Sequence, residues 1–362
     1  MKKKVLGIML SAVMAAGLLA GCGSAKEEAP AAEAPAEEAP AAEEEAPAEE
    51  EEAPAAEEEA PAEEEAPAEE AKSYKIGFSQ CTLASPFYTT MKDAAEAYCA
   101  EKGIELVFVS ADDDVQKQNN DVLDMITAGI DALIINPMNN EGVGTALQAA
   151  ADAGIPIVTI DRFTDDANVT ARVVRDNEYM GQIVGEQLLK ELGEDGSGKI
   201  LEIQGTAGDS VMAARRDGFE KVFEGTNYEI VQSVNCDYTR SLAITAAQDM
   251  IQANDNIVAI YGHNDDMAVG ALQACEEAGL TDVKVCGVDG LMEAVQAIAD
   301  GKGYVATSMN DPTSLLYVAI DTCLALLNGE DVEAEVDAGT GLISSENAAD
   351  YVDDSVAFAM NK

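Results

Sequence analysis

The chain has 362 residues, with 69 acidic and 21 basic side chains and a formal net charge of -48. Nucleic-acid phosphates are bound through clustered Lys and Arg, and anionic lipid through a basic patch. A balance this acidic argues against both, so no nucleic-acid partner is expected; it leaves the fold open.

The first residues read MKKKVLGIMLSAVMAAGLLAGC. Lys2, Lys3 and Lys4 form a basic start, and residues 5–19 carry no charge. About fifteen residues are too few to span a hydrocarbon core of roughly 30 Å as a helix. The layout is that of a cleaved export signal over residues 1–21. Its end, Leu19-Ala20-Gly21-Cys22, resembles a bacterial lipobox. That resemblance implies lipidation of Cys22 as the first mature residue and an extracytoplasmic protein anchored to the membrane without spanning it.

Residues 22–72 carry the lipidated cysteine and a tether of EEAPA units, with no aromatic or β-branched residue. Such a segment cannot bury enough apolar surface to offset ordering entropy and is expected to be disordered. Proline and like-charge repulsion extend it, to as much as ~150 Å at ~3.1 Å per residue. Six cysteines follow: Cys81, Cys99, Cys236, Cys275, Cys286 and Cys323. Export permits disulfides, in fifteen possible connectivities for six cysteines. Yet the remaining segment, about 290 residues, is large enough for its own core. No C-x-x-C pair occurs, and several cysteines sit inside apolar runs, which favours buried free thiols.

From residue 73 onward, short β-branched runs alternate with longer helical patterns. Strands are expected at 74–79, 104–110, 132–136 and 155–160, then at 199–204, 228–234, 257–262, 283–288 and 304–309. Near-continuous apolar strands are what a sheet covered on both faces requires. Helical patterns such as 87–101, 115–128, 265–278 and 313–327 lie between them. The fold class is therefore α/β, with enough βαβ units for two doubly wound, mostly parallel sheets.

The polar residues of interest gather where strands end and helices begin, the edge at which open α/β sheets bind ligands. Ser85-Pro86 places an N-cap before a proline at the first helical position. The stretch YGHNDDMAVGALQA at 261–274 holds the only histidine, His263, beside Asn264, Asp265 and Asp266. Two aspartates in a first helical turn are accounted for by the helix dipole, and Asn264 is left facing the rim. A single imidazole gives metal no second histidine and permits one triad at most. No G-x-S-x-G elbow, P-loop or G-x-G-x-x-G follows any strand. The run Asp112, Asp113, Asp114 reads as a solvated loop before a helix. No metal, no cofactor and no catalytic residue is expected.

Several motifs recur in order: SPFYTTM at 85–91, NPMN at 136–139, IPIVTIDR at 155–162 and RDN at 175–177. Then come ILEIQGTAG at 200–208, ARRDGF at 214–219, DYTRS at 237–241, HNDDMAVGA from His263, and GVDG at 287–290. In this order, behind a lipoprotein signal, they resemble the ribose/galactose-type sugar-binding proteins of bacterial ATP-driven importers. GFSQ, TRS and HNDDM are similar to the galactofuranose-binding branch. The resemblance covers 73–362. It implies a type I periplasmic binding protein fold: two lobes joined by three crossovers, closing on a monosaccharide. The implied lobe limits are 73–175 with 311–340, and 176–310 with 341–362.

The family's ligand positions fall on Ser85, Phe87, Tyr88, Asp161, Arg162, Arg215, Tyr238, Asn264, Asp289 and Asn310. Sugar hydroxyls both donate and accept, which Asp, Asn and Arg can satisfy; aromatic rings suit the C–H faces. Asp289 and Arg162 are expected to face the sugar from opposite lobes. Departures exist. Ser85 stands where ribose binders usually carry asparagine, Tyr88 where they carry phenylalanine, and Cys81 where they carry serine. Arg172 and Arg175 add charge near the first crossover. The implied function is a monomeric solute-binding lipoprotein that takes a pentose, hexose or furanose to an ABC-type permease and performs no chemistry. The alternatives are a sugar sensor presenting ligand to a membrane receptor and, more remotely, a hydrolase.

Overall fold

The computed structural model describes residues 73–360. The export signal, Cys22 and the acidic tether lie outside the described residues. The described chain opens with β1 (Lys75–Gln80), α1 (Pro86–Lys102), β2 (Glu105–Ser110), α2 (Val115–Thr127) and β3 (Ala132–Ile135). It continues through α3 (Gly144–Asp152), β4 (Ile157–Ile160) and β5 (Ala171–Val174). A second series follows: α4 (Asn177–Leu192), β6 (Ser197–Gln204), α5 (Ser210–Phe223), β7 (Asn227–Asn235) and α6 (Arg240–Ala253). After it come β8 (Ile257–Gly262), α7 (Asp265–Glu277), β9 (Lys284–Asp289), α8 (Met292–Ala299) and β10 (Tyr304–Met309). The last elements are α9 (Pro312–Leu327), β11 (Glu335–Asp337), β12 (Leu342–Ser344) and α10 (Ala348–Tyr351).

These strands form two six-stranded sheets, β11-β5-β4-β3-β1-β2 and β12-β10-β9-β8-β6-β7. Every pairing is parallel except that of β12 with β10. The two orders are the same doubly wound pattern: each sheet starts at an inner strand, steps to one edge, then reverses past its start. The carboxyl ends beside that reversal are where such sheets bind ligands. Strands β3 and β10 are buried at every position, as sheets with helices on both faces require. No described helix is long and apolar enough to cross a membrane.

The main chain passes between the sheets three times: from β5 to α4, from β10 to α9, and from β11 to β12. Helix α9 therefore packs on α1 and on β3, β4 and β5, while α4 packs on α5, β9 and β10. A stacked pair, Tyr98 and Tyr317 at 4.1 Å, marks the α1–α9 contact.

The structure moves some expected boundaries and adds three strands. β4 starts at Ile157 rather than at 155, because Pro156 has no N–H to give a ladder. β5, β11 and β12 have three or four residues each. Their strand character comes from their partners: β11 and β5 pair with each other, β12 with β10. All six cysteines of the described residues are buried free thiols.

Candidate functional site

The first sheet supplies its residues from loops at the carboxyl ends of β1 and β4. Ser85 stands at the N-cap of α1 with extended backbone, and Pro86 opens the helix. Contrary to the capping expected of it, the Ser85 side chain makes no cap bond. Its buried Oγ has no partner at all. Phe87 and Tyr88 follow in the first turn, edge to face at 5.4 Å. Phe87 also meets Phe358 edge-on at 5.9 Å. Phe358 bridges to Leu291 and so belongs with the second sheet's loops. After β4, the Asp161 carboxylate accepts bonds from the Tyr88 hydroxyl and the Asn136 amide, each at 3.3 Å.

The second sheet presents Arg215, Tyr238, Asn264 and Asp289. Arg215 uses its guanidinium fully: Nε donates to Asn177 Oδ1 at 2.9 Å and Nη1 to the His263 carbonyl at 2.6 Å. Its Nη2 stands 3.3 Å from Asp289 Oδ1. The same Asp289 oxygen accepts from the Asn310 amide at 3.1 Å. Asn264 caps α7 by accepting from the Met267 N–H at 3.0 Å, which leaves its amide nitrogen for a ligand. The Tyr238 hydroxyl is buried beside the Asp209 carboxylate without a well-formed hydrogen bond.

These groups line one small cleft, walled by Ser85, Phe87, Tyr88, Asp161, Val211, Arg215, Tyr238, Asn264, Asp289 and Asn310. Its lining mixes carboxyl, amide, hydroxyl and guanidinium groups with aromatic rings, the make-up of a site for a small polar molecule. The expected site residues therefore meet in one place, with Arg162 the exception. Arg162 is not on the wall. Its guanidinium lies over the rings of Tyr88 and Tyr238, at 5.7 and 5.9 Å, and its Nε stands 3.5 Å from Asp209 Oδ2. Val211 and Asp209 were absent from the expectations. Asp209 carries a sequence signal, being an aspartate before an apolar helix; it is the N-cap of α5.

Backbone geometry singles out the same cavity. Among the few described non-glycine residues with positive φ are Asp161 at 63°, Tyr238 at 55° and Asp289 at 123°. Residues held in such conformations concentrate at ligand clamps. Burial pushes the Asp289 carboxyl up to about 8, even though Arg215 beside it pulls the other way. Burial also raises the Asp161 carboxyl, against the pull of Arg162 and Arg215. Tyr88 and Tyr238 are driven well above the usual phenol range by burial, so both remain neutral donors and acceptors.

In the HNDD stretch the helix dipole is not the whole account of Asp265. It is fully buried and accepts from Tyr304 Oη at 2.6 Å, Thr307 Oγ1 at 2.7 Å and the Leu291 N–H at 2.8 Å. Desolvation pushes it up to about 6. Asp266 pairs with Arg240 at 2.9 Å. His263 is buried behind the cavity: Nε2 lies 2.8 Å from Glu202 Oε1, and Nδ1 accepts from the Gly205 N–H at 3.3 Å. The imidazole thus ties Glu202 of β6 and Gly205 just beyond it to the end of β8. Among the described residues no cluster of His, Cys, Asp and Glu could hold a metal. Asp114, in the loop before α2, is that helix's N-cap, a role not expected of it.

Residues 76–331 match the model of a family described as the periplasmic binding protein domain. The ribose import binding protein of Bacillus subtilis is 32% identical over 267 residues, covering 74% of this chain and 86% of that protein. The galactofuranose-binding protein of Escherichia coli is 32% identical over 247 residues, 65% of this chain and 76% of that one. Among solved structures, an ABC transporter solute-binding protein from Mycobacterium smegmatis with bound glycerol superimposes with a TM-score of 0.78. It is 49% identical and covers 80% of this chain and 100% of its own.

Proposed function

The chain belongs to the periplasmic binding protein domain family, and from that premise we propose that it captures one monosaccharide or small polyol outside the cell and hands it to an ABC-type permease. In this reading Cys22 carries the lipid anchor, residues 22–72 are the tether, and the protein works as a monomer without chemistry. The lobes are 73–175 with 311–340, and 176–310 with 341–362; the membership of the two sheets supports that division.

One observation carries the proposal. The cavity between the sheets is walled by both, and its buried polar groups include Ser85 Oγ, which makes no hydrogen bond, and Tyr238 Oη, which makes none of good geometry. Buried polar groups without partners cost about 1–3 kcal/mol each, and a ligand rich in hydroxyls removes that cost on both walls at once. Asp161 and Asp289 accept from such hydroxyls, the Asn264 and Asn310 amides donate to them, and Phe87 and Tyr88 offer rings to C–H faces. Because the partners come from both sheets, ligand binds the closed form better than the open one and shifts the population toward it.

The test is a thermal-shift panel of pentoses, hexoses, furanoses, inositols and glycerol on the protein from Ser73 onward. A ligand at 100 times its Kd adds ~2.7 kcal/mol to stability. A panel in which no neutral sugar or polyol raises the melting temperature overturns the reading.

A further inference from the structure

Two features of this cleft would ordinarily attract an anion. The first is Arg162, whose Nε is buried and makes no hydrogen bond and whose Nη1 makes only a 3.3 Å contact with the Met138 carbonyl. A guanidinium with donors to spare is a receptor for carboxylate or phosphate. The second is the amino end of α5, whose free N–H groups and dipole favour negative charge. One side chain answers both. Asp209 Oδ1 accepts from the Val211 N–H at 2.9 Å, and its Oδ2 faces Arg162 Nε at 3.5 Å. The two side chains are 1% and 5% exposed, so the pair is formed in a nearly dry space. It also spans the cleft: Arg162 follows β4 of the first sheet, and Asp209 precedes α5 of the second.

We propose that Asp209 sets the charge specificity of the site, neutralising Arg162 across the closed cleft so that neutral sugars are admitted and acidic sugars are turned away. This rests on the sugar-binding reading above. Its logic is repulsive as well as attractive. The other guanidinium, Arg215, already has each of its three nitrogens occupied, by Asp289 Oδ1, Asn177 Oδ1 and the His263 carbonyl. A ligand carboxylate or phosphate therefore finds neither guanidinium open to it, and Asp161 and Asp209 stand nearby. A neutral ligand leaves these contacts intact on closure. Removing the Asp209 charge alone would leave the buried Arg162 without its ion-pair partner, with only the neighbouring Asp161 still acting on it, a costly state that a ligand anion would relieve.

Asp209→Asn tests this, because asparagine caps a helix as well as aspartate does. Asp209→Ser, a second capping residue without charge, guards against a folding defect peculiar to the first. Calorimetry on each protein compares D-galactose with D-galacturonate, D-glucose with D-glucuronate, D-ribose with ribose 5-phosphate, and myo-inositol with its monophosphate. The unaltered protein should bind at least one neutral member, and its acidic counterpart at least about a hundredfold more weakly. In both variants that ratio should fall by at least about tenfold, a decade being the least change that marks a lost charge contact. If the unaltered protein takes the acid as well as the neutral sugar, the proposal is overturned. It is equally overturned if folded variants bind the neutral member and still exclude the acid. Failure of every neutral member to bind the unaltered protein overturns the sugar-binding reading itself, and the two failures are told apart by that control.

Discussion

The guanidinium of Arg175 donates to the main-chain carbonyl of Asp311 at 3.0 Å, joining the first segment that runs between the sheets to the second. The same side chain donates to the Gly339 carbonyl in the third and to Ser314 Oγ at 2.8 Å. One buried arginine therefore ties together all three connections on which the lobes would move. Arg175→Ala strands two carbonyls in a buried place, at about 1–3 kcal/mol each. The melting temperature should drop by at least about 4 °C. Arg175→Lys should not restore it, since one ammonium lacks the planar fork that reaches both carbonyls. A lysine variant that melts with the unaltered protein would show that the fork is not what matters.

Ligand affinity should separate residues that touch the cavity from those that only flank it. Asp289→Ala removes an acceptor from the wall, and Arg162→Ala breaks the pair with Asp209 and uncovers the faces of Tyr88 and Tyr238. Each should weaken binding of the panel's best ligand at least about tenfold. Asp266→Ala loses a pair with Arg240, which keeps Glu293 as a partner; it lies off the cavity wall and should leave affinity nearly unchanged. Calorimetry that finds Asp266 essential and Asp289 dispensable would place the ligand elsewhere.

Asp289 also makes a pH dependence. Its carboxyl titrates near 8 in the folded chain because burial disfavours the charge, against 3.8 for the ordinary group. The folded state therefore holds a proton that the unfolded state has lost. That contribution to stability is fully present below about pH 4 and disappears as pH rises through 8. Urea unfolding of the ligand-free protein at pH 5 and pH 8 should show stability falling with pH. In Asp289→Asn the fall should be shallower, the difference being on the order of 1 kcal/mol per pH unit. Parallel pH slopes for the two proteins would place the proton on another group.

Residues 22–72, proposed as the tether, contain no aromatic or β-branched residue with which to dock. A protein truncated to begin at Ser73 should bind ligand as tightly as the full mature chain. A tenfold loss on truncation would reveal a contact between the acidic segment and the lobes.

Excess chelator should leave affinity unchanged. His263 spends both ring nitrogens on Glu202 and Gly205, and Asp265 spends its oxygens on Tyr304, Thr307 and Leu291. A loss of binding restored by zinc or calcium would contradict that assignment.

The long apolar strands were legible because burial on both faces leaves an uninterrupted run, as in ALII of β3. β5, β11 and β12 were not, because their conformation is imposed by pairing rather than by their own residues. That Ser85, Asn264 and Asp289 would come together was legible through motif order, and they line one cavity. The pairings between them were not, since they depend on how the two sheets' loops meet. Arg162 follows a strand of one sheet and Asp209 a strand of the other, and no local pattern links them. One missed partner did leave a trace. Glu202 is a lone acid in the buried run KILEIQ, and a buried charge requires a partner. The register of β6 on β8, with Ile203 opposite Gly262, brings His263 alongside to serve as one.

The positive backbone angles at Asp161, Tyr238 and Asp289 have a consequence for how the molecule can vary. Each such residue costs on the order of 1–3 kcal/mol, which the rest of the fold must offset. Glycine at any of the three would ease the main chain, yet it would remove a side chain that shapes the cavity. Thermal robustness and ligand discrimination are thus opposed at three backbone positions. Selection for heat resistance alone would erode recognition there first, with the hydrophobic cores left untouched.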